Sequence, residues 1–310
     1  MTTRNDRSTL VAAAATSIIV GFSPIATDIA LDQLGPAALA MLRYGVAMIF
    51  LLPIALGARG EVSRRDTFCI GALGVAQFAL LVFLFNVSLA YISAARAIVL
   101  FSTMPLFVML IQVARGEEAY SRKRALAIFA CVFGVAVCLS AGWIGSGRGS
   151  QWIGDLCALA SALIGAVCSI AFGPFMRRCG TTNVSIIAIS TAVIALILAT
   201  AVEGVPDLRA LNSASISMVL LLGGGSALAF WLWVWALGRG EASVIISYLA
   251  AAPVVTAIFQ VLLLREPLTI EVVVGGLLVS LGLVALNQRI DLPKVEKLEP
   301  EPRVTIRSAE

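Results

Sequence analysis

Histidine is absent from the 310 residues. That removes imidazole proton relays, His-ligated metal sites and Ser-His nucleophile chemistry together. Lysine is scarce: Lys123, Lys294 and Lys297 are preceded by Arg122, Pro293 and Glu296. The Gly-Lys pair of a phosphate-binding P-loop is therefore missing, which excludes ATP hydrolysis by such a loop in this chain. Charged residues make up only 13%, against about a quarter in soluble domains. The six cysteines (Cys69, Cys131, Cys138, Cys157, Cys168, Cys179) form no C-x-x-C pair. Neither a zinc site nor a disulfide framework is expected, and they read as small, reduced residues. No metal, cofactor or nucleic-acid partner is expected, and the net charge of +4 bears on topology instead.

What remains is apolar. Hydrophobic residues reach 60% and mean hydropathy is +0.98, the composition of an integral membrane protein. One span takes about 20 apolar residues. By that measure helices are predicted near 9–31, 35–57, 67–90, 93–114, 124–142, 152–173, 184–203, 215–237, 243–264 and 268–288. Residues 1–8 are a polar start, 143–151 a Gly/Ser loop flanked by Trp143 and Trp152, and 289–310 a Pro-, Lys- and Glu-rich tail of disordered character.

The stretch Leu89–Glu118 recurs, shifted by 148 positions, at Leu237–Glu266. Pro105/Pro253, Gln112/Gln260 and Glu118/Glu266 coincide, Gly134 meets Gly282, and Ala127 meets Gly275. So long a period means two copies of a large unit, 9–142 and 152–288, not a solenoid. Basic residues set the orientation. With the N-terminus inside, 17 of the 22 Lys and Arg fall on inner segments, four (Arg96, Arg148, Arg209, Arg265) on outer ones, and Arg43 within a helix. Five helices per copy is an odd number, so the copies insert upside down relative to each other. The predicted fold is all-α and polytopic, with ten transmembrane helices as two inverted five-helix repeats. Such repeats are common among secondary transporters, whose sites lie near the repeat interface.

The small-residue helix start Ser93-Ala94-Ala95, the mid-helix Pro105, the Glu117-Glu118 turn and Gly134 return as Ala242-Ser243, Pro253, Arg265-Glu266 and Gly282. Arg43-Tyr44 adds a helix-2 arginine followed by an aromatic. In these features residues 9–288 resemble the drug/metabolite transporter superfamily, specifically its EamA-type members. The resemblance implies a ten-helix basket in a bacterial inner membrane, with both termini cytoplasmic. It also implies transport of metabolites or amino acids, often outward. The chain departs from the repeat at Thr191, which stands opposite Arg43, so any charged site is asymmetric.

Candidate binding residues are Arg43, Asp28, Asn86, Trp231 and Tyr248. A charge about 12 Å deep in a helix needs water or a partner. Arg43 therefore reads either as a cavity cation for a substrate carboxylate or phosphate, or as the partner of Asp28. Arg96, at the outer mouth, adds to the bias towards carboxylates. Trp231 and Tyr248 read as cavity wall or as membrane-interface anchors. Pro105 and Pro253 each break a helix ladder and read as matched gate bends or static kinks. Gln112 and Gln260 read chiefly as amides joining helices. Glycines near 134, 223–225 and 275–276 make close-packing faces, and helices 5 and 10 could serve a homodimer. The function expected is non-enzymatic: a secondary transporter of small metabolites working by alternating access, most simply an exporter of amino acids or related carboxylates. The alternative is a flippase or an intramembrane enzyme for lipid-linked groups.

Overall fold

The computed structural model describes residues 7–56, 62–116, 122–144, 150–207, 209–237, 248 and 251–287. The expected tail, the Glu117-Glu118 turn and the Ala242-Ser243 helix start lie outside these residues. The described chain is helical throughout: α1 (Arg7–Leu31), α2 (Pro36–Leu56), α3 (Arg64–Leu89), α4 (Ala94–Ala114), α5 (Arg122–Ile144), α6 (Gln151–Cys179), α7 (Thr181–Glu203), α8 (Ser213–Leu237), α9 (Ala252–Leu264) and α10 (Ile270–Asn287). Six of them are long and apolar enough to cross a membrane, and the other four are shorter apolar segments. Phe68, Leu126, Phe129, Ile49 and Leu281 project outward and exposed. A bilayer accounts for such a surface and water does not.

Local chemistry sets the helix ends. Ser63 Oγ accepts from Asp66 N to cap α3. Pro36 opens α2, where no N–H is needed. Gly180, at φ +80, is the only residue between α6 and α7. Pro174 lies inside α6 and not at its end, so Arg177 and Arg178 occupy its last turn.

α4 is interrupted. It runs Ala94–Phe101, turns through Ser102 and Thr103, and resumes as Met104–Ala114 with Pro105 in the first turn. Pro105 offers no N–H to close the ladder, and Pro disfavours helical backbone just before it. Its mate Pro253 opens the described part of α9 in the same way, in Ala252–Phe259. Met104 and Ala252, which start these pieces, are 148 apart, as are Arg122 and Ile270 at the starts of α5 and α10.

Packing obeys the same two-fold relation. α1 packs on α8 as α6 packs on α3; α2 packs on α8 as α7 packs on α3; α1 packs on α9 as α6 packs on α4. α2 meets its own mate α7, and α5 meets its mate α10. Along the last pair, Cys131 lies against Gly282 and Cys138 against Gly275, so the two helices run antiparallel. Equivalent helices running in opposite directions make the repeats inverted. Gly134 lies against the Gly275 carbonyl, and its mate Gly282 lies against the Ala127 carbonyl; a Cβ at either position would strike backbone. Cys131 even touches its own mate, its Sγ 3.7 Å from the Val279 oxygen, so the axis passes there. The glycine faces that suggested an oligomer contact on helices 5 and 10 are thus taken up between α5 and α10 of one chain.

Candidate functional site

The α1–α9 interface and its mate, α6–α4, differ in one respect that defines the site. Between α1 and α9, Ser17 Oγ donates to the Tyr248 carbonyl at 2.7 Å. Thr256 Oγ1 donates to the Gly21 carbonyl, and Phe22 meets Phe259 edge to face at 5.0 Å. Gly21 is required here, because a Cβ would overlap Val255 and the Ala252 carbonyl. The interface is sealed.

Thr256 and Phe259 of α9 have Val108 and Ile111 as their mates on α4, and Gly21 has Gly165, because α1 and α6 start 144 residues apart, at Arg7 and Gln151. Val108 and Ile111 line a cavity of about 700 Å³ between α4 and α6, with Ser169 and Ile170 of α6 on its other wall, whereas Gly165 packs on Met104. Ser169 turns its hydroxyl back onto the Gly165 carbonyl of its own helix, at 2.7 Å. Gln112, Arg115 and Arg177 complete the polar part of the wall. The cavity thus opens at the end of the bundle where α4 and α6 finish and basic residues gather. Two arginines at its mouth favour entry of anions.

The expected binding residues do not converge there. Arg43 is half-buried on α2, where its Nε donates to Ser226 Oγ of α8 at 2.9 Å, and the guanidinium lies 5.7 Å from the Tyr44 ring centre. It has no carboxylate partner among the described residues, so the expected Arg43–Asp28 pair does not form. Asp28 stands instead within electrostatic reach of Glu266 and Asp32. Asn86 is 1% exposed; its Nδ2 donates to the Pro36 carbonyl at 2.9 Å, while its Oδ1 has no partner. It ties α3 to the start of α2.

Trp231 is a correction. It is 51% exposed, its ring lies 6.5 Å from that of Trp235, and it is not among the residues packed on the inner cluster of Ala12, Ala13 and Ala236. Trp233 packs inward beside Tyr248 against Ala12, Ala13 and Ala236. Arg96 is the second correction. It is 4% exposed, and its Nε and Nη2 grip Asp155 at 2.8 and 2.7 Å, with Nη2 also donating to the Leu139 carbonyl at 3.2 Å. This three-helix clamp is not legible in the sequence, where Arg96 reads as an outer-mouth residue. Gln260 joins helices as expected: buried, its Oε1 accepts from Ala95 N at 2.7 Å and caps the first turn of α4.

Ten apolar helices in two inverted repeats, one repeat interface closed and its mate holding a cavity with an arginine-lined mouth, define a multi-pass membrane transporter architecture. Residues 7–140 and 152–288 each match the EamA-like transporter family, so the chain belongs to that family. It is 25% identical over 272 residues to an uncharacterized transporter of Archaeoglobus fulgidus, covering 87% of this chain and 93% of that protein. A second uncharacterized transporter of the same organism is 28% identical over 258 residues, covering 81% and 88%. One solved crystal structure superposes with a TM-score of 0.63 at 18% identity, over 90% of this chain and 96% of that one, a likeness of fold.

Proposed function

We propose that the chain is a secondary carrier of small metabolites working by alternating access in a bacterial inner membrane, with both termini and the Arg115/Arg177 end in the cytoplasm. The supporting observation is the broken symmetry of two mated interfaces. Thr256–Gly21 and Phe22–Phe259 close one side, while Val108, Ser169, Ile111 and Ile170 line an open cavity on the other. Exchanging the two arrangements turns an inward-facing carrier outward without new contact chemistry. Pro105 and Pro253 stand where the moving halves of α4 and α9 begin, and serve as the bends. The cargo bears a carboxylate, amino acids being the leading case, and leaves the cell. Arg115 and Arg177 at the cavity mouth, and Arg43 without a carboxylate partner among the described residues, support that charge preference.

Lipid-linked cargo keeps one supporting feature. A groove of about 420 Å³ among α4, α9 and α10 is lined only by apolar residues, among them Val254, Ile258 and Leu262. It would take an acyl chain and offers nothing to a head group. Counterflow in proteoliposomes separates the readings. Vesicles are preloaded with unlabelled amino acids, organic acids or sugars, labelled tracer is added, and wild type is run beside Arg43→Ala. Tracer accumulation with a carboxylate-bearing compound, weakened in the variant, is the expected result. No counterflow with any soluble compound would overturn the soluble-cargo reading and leave the lipid one.

A further inference from the structure

Two small residues open the groove of about 420 Å³ among α4, α9 and α10: Ala257 of α9 and Gly276 of α10, beside Val99 of α4. At the positions 148 earlier stand Met109 and Ile128. Both of those longer side chains pack in the cluster around Leu106 and Cys131. Val254, exposed, likewise answers to Leu106, buried. One repeat fills this space with its own aliphatic chains, and the other leaves it open. A side chain at Gly276 would meet Val99 across the floor.

The groove faces hydrocarbon, for Val254, Ile258, Leu262 and Leu277 on its walls are exposed. Water does not fill an apolar trough at that depth. From Val254 to Leu262 it follows α9 for about 12 Å, close to the hydrocarbon thickness of one leaflet, about 15 Å. At the α9–α10 turn it adjoins a second cavity, of about 310 Å³, and Leu268 and Val272 are walls of both. That cavity is polar and net acidic. Asp155 neutralises Arg96, while Glu266 lines the wall with Asp28 within electrostatic reach. Arg265 occupies the turn itself, exposed, at φ 55 and with no ion pair among the described residues.

We infer that groove and cavity together hold one molecule of phosphatidylethanolamine from the leaflet at the face opposite Arg115 and Arg177. One acyl chain lies along α9 as far as Pro253, in the space that Met109 and Ile128 fill in the other repeat. The ammonium enters the acidic cavity at Glu266, and the phosphate stays outside it beside Arg265. A phospholipid with a net negative head group brings no ammonium to Glu266 and is repelled there. The lipid is a resident of the fold and not its cargo: its chain packs where α9 bends, between α9, α10 and the first turns of α4. The inference concerns a lateral site and does not depend on what the carrier moves.

The test uses the full-length protein, delipidated in detergent, and phosphatidylethanolamine bearing a diazirine at the end of one acyl chain, with cross-links mapped by peptide mass spectrometry. Saturable cross-linking is expected at the Pro253 end of the groove, and unlabelled phosphatidylethanolamine should compete better than phosphatidylglycerol. Ala257→Met supplies the side chain of the mate position. It should lower the yield by about tenfold or more, because each methylene kept from the groove counts about fourfold in affinity. Leu281→Met, exposed on α10 outside the groove, should leave the yield unchanged. Should Ala257→Met lower the melting temperature, Val254→Leu repeats the test with the residue of its own mate. Glu266→Gln should abolish the preference over phosphatidylglycerol and keep the cross-links in place. Even labelling of all exposed helices would mean an unselective lipid annulus and overturn the inference. A yield indifferent to both groove-filling variants would do the same, as would phosphatidylglycerol competing equally in the wild type. Cross-links blocked on dimer formation would put a second copy of the chain in the groove instead. Translocation of fluorescent phosphatidylethanolamine across proteoliposomes, lost in Ala257→Met, would make the lipid the cargo and remove the resident.

Discussion

Phe22 and Phe259 meet edge to face at 5.0 Å, while Ile111, the repeat mate of Phe259, borders an open cavity. One sequence duplicated and inverted thus holds two states of the same contact at once.

Thiol labelling should read that asymmetry. In a background freed of the six cysteines, Ser169→Cys lines the cavity and should react with a membrane-impermeant maleimide from the Arg115/Arg177 face. Ile29→Cys, packed among α1, α3, α4 and α9, should be protected from both faces. Equal labelling at the two positions would contradict a sealed α1–α9 interface.

Glycine substitutions should separate the axis from the surface. A Cβ at Gly134 or Gly275 strikes backbone of the facing helix, whereas one at Gly45 meets nothing within 4 Å. Gly134→Val or Gly275→Val should lower stability by about 1–3 kcal/mol or more through overpacking, and Gly45→Val should leave the melting temperature nearly unmoved. A harmless Gly134→Val would mean that α5 and α10 do not approach as closely as described.

The fold was legible because polar and ring-bearing residues are conspicuous in an apolar chain. Pro105/Pro253 and Gln112/Gln260 announced the offset, and the helix starts at Met104 and Ala252, and at Arg122 and Ile270, keep it. The site was less legible, for a physical reason. A helix apolar on every side, such as α8, does not encode which tryptophan faces inward, so Trp231 was favoured where Trp233 packs inside. Long-range partners were equally hidden. Arg96 and Asp155 are 59 residues apart on different repeats, and Arg43 and Ser226 are 183 apart. The two-fold could have directed attention to Val108 and Ile111 as mates of Thr256 and Phe259, but only once one interface was seen closed.

Breaking the Arg96–Asp155 pair should destabilise the fold more than removing it. The side chains are 5% and 11% exposed, and a lone charge left at that depth is unpaired. Asp155→Ala should reduce stability by about 3–5 kcal/mol, measured by thermal unfolding in detergent. The double variant Arg96→Met, Asp155→Leu should recover most of the loss. A double variant no better than the single would mean that the pair gives the structure more than charge neutralisation.

Thr256→Val tests the seal with least disturbance, because valine keeps the side chain's shape and is also the residue at the mate position, Val108. Thr256 is fully buried and its hydroxyl donates to the Gly21 carbonyl. Removing that bond weakens α1–α9 without opening space, so the equilibrium should move towards the state in which this interface parts. Interhelical hydrogen bonds in membranes contribute about 0.6–1.7 kcal/mol, which corresponds to a roughly three- to twentyfold shift in population. The labelling rate of Ile29→Cys from the face opposite Arg115 should rise by that factor, and labelling of Ser169→Cys should slow as its side closes. Both rates rising together would indicate local loosening and not an exchange of states. Neither rate changing would mean that the aromatic contact of Phe22 and Phe259 holds the gate without help from the hydroxyl.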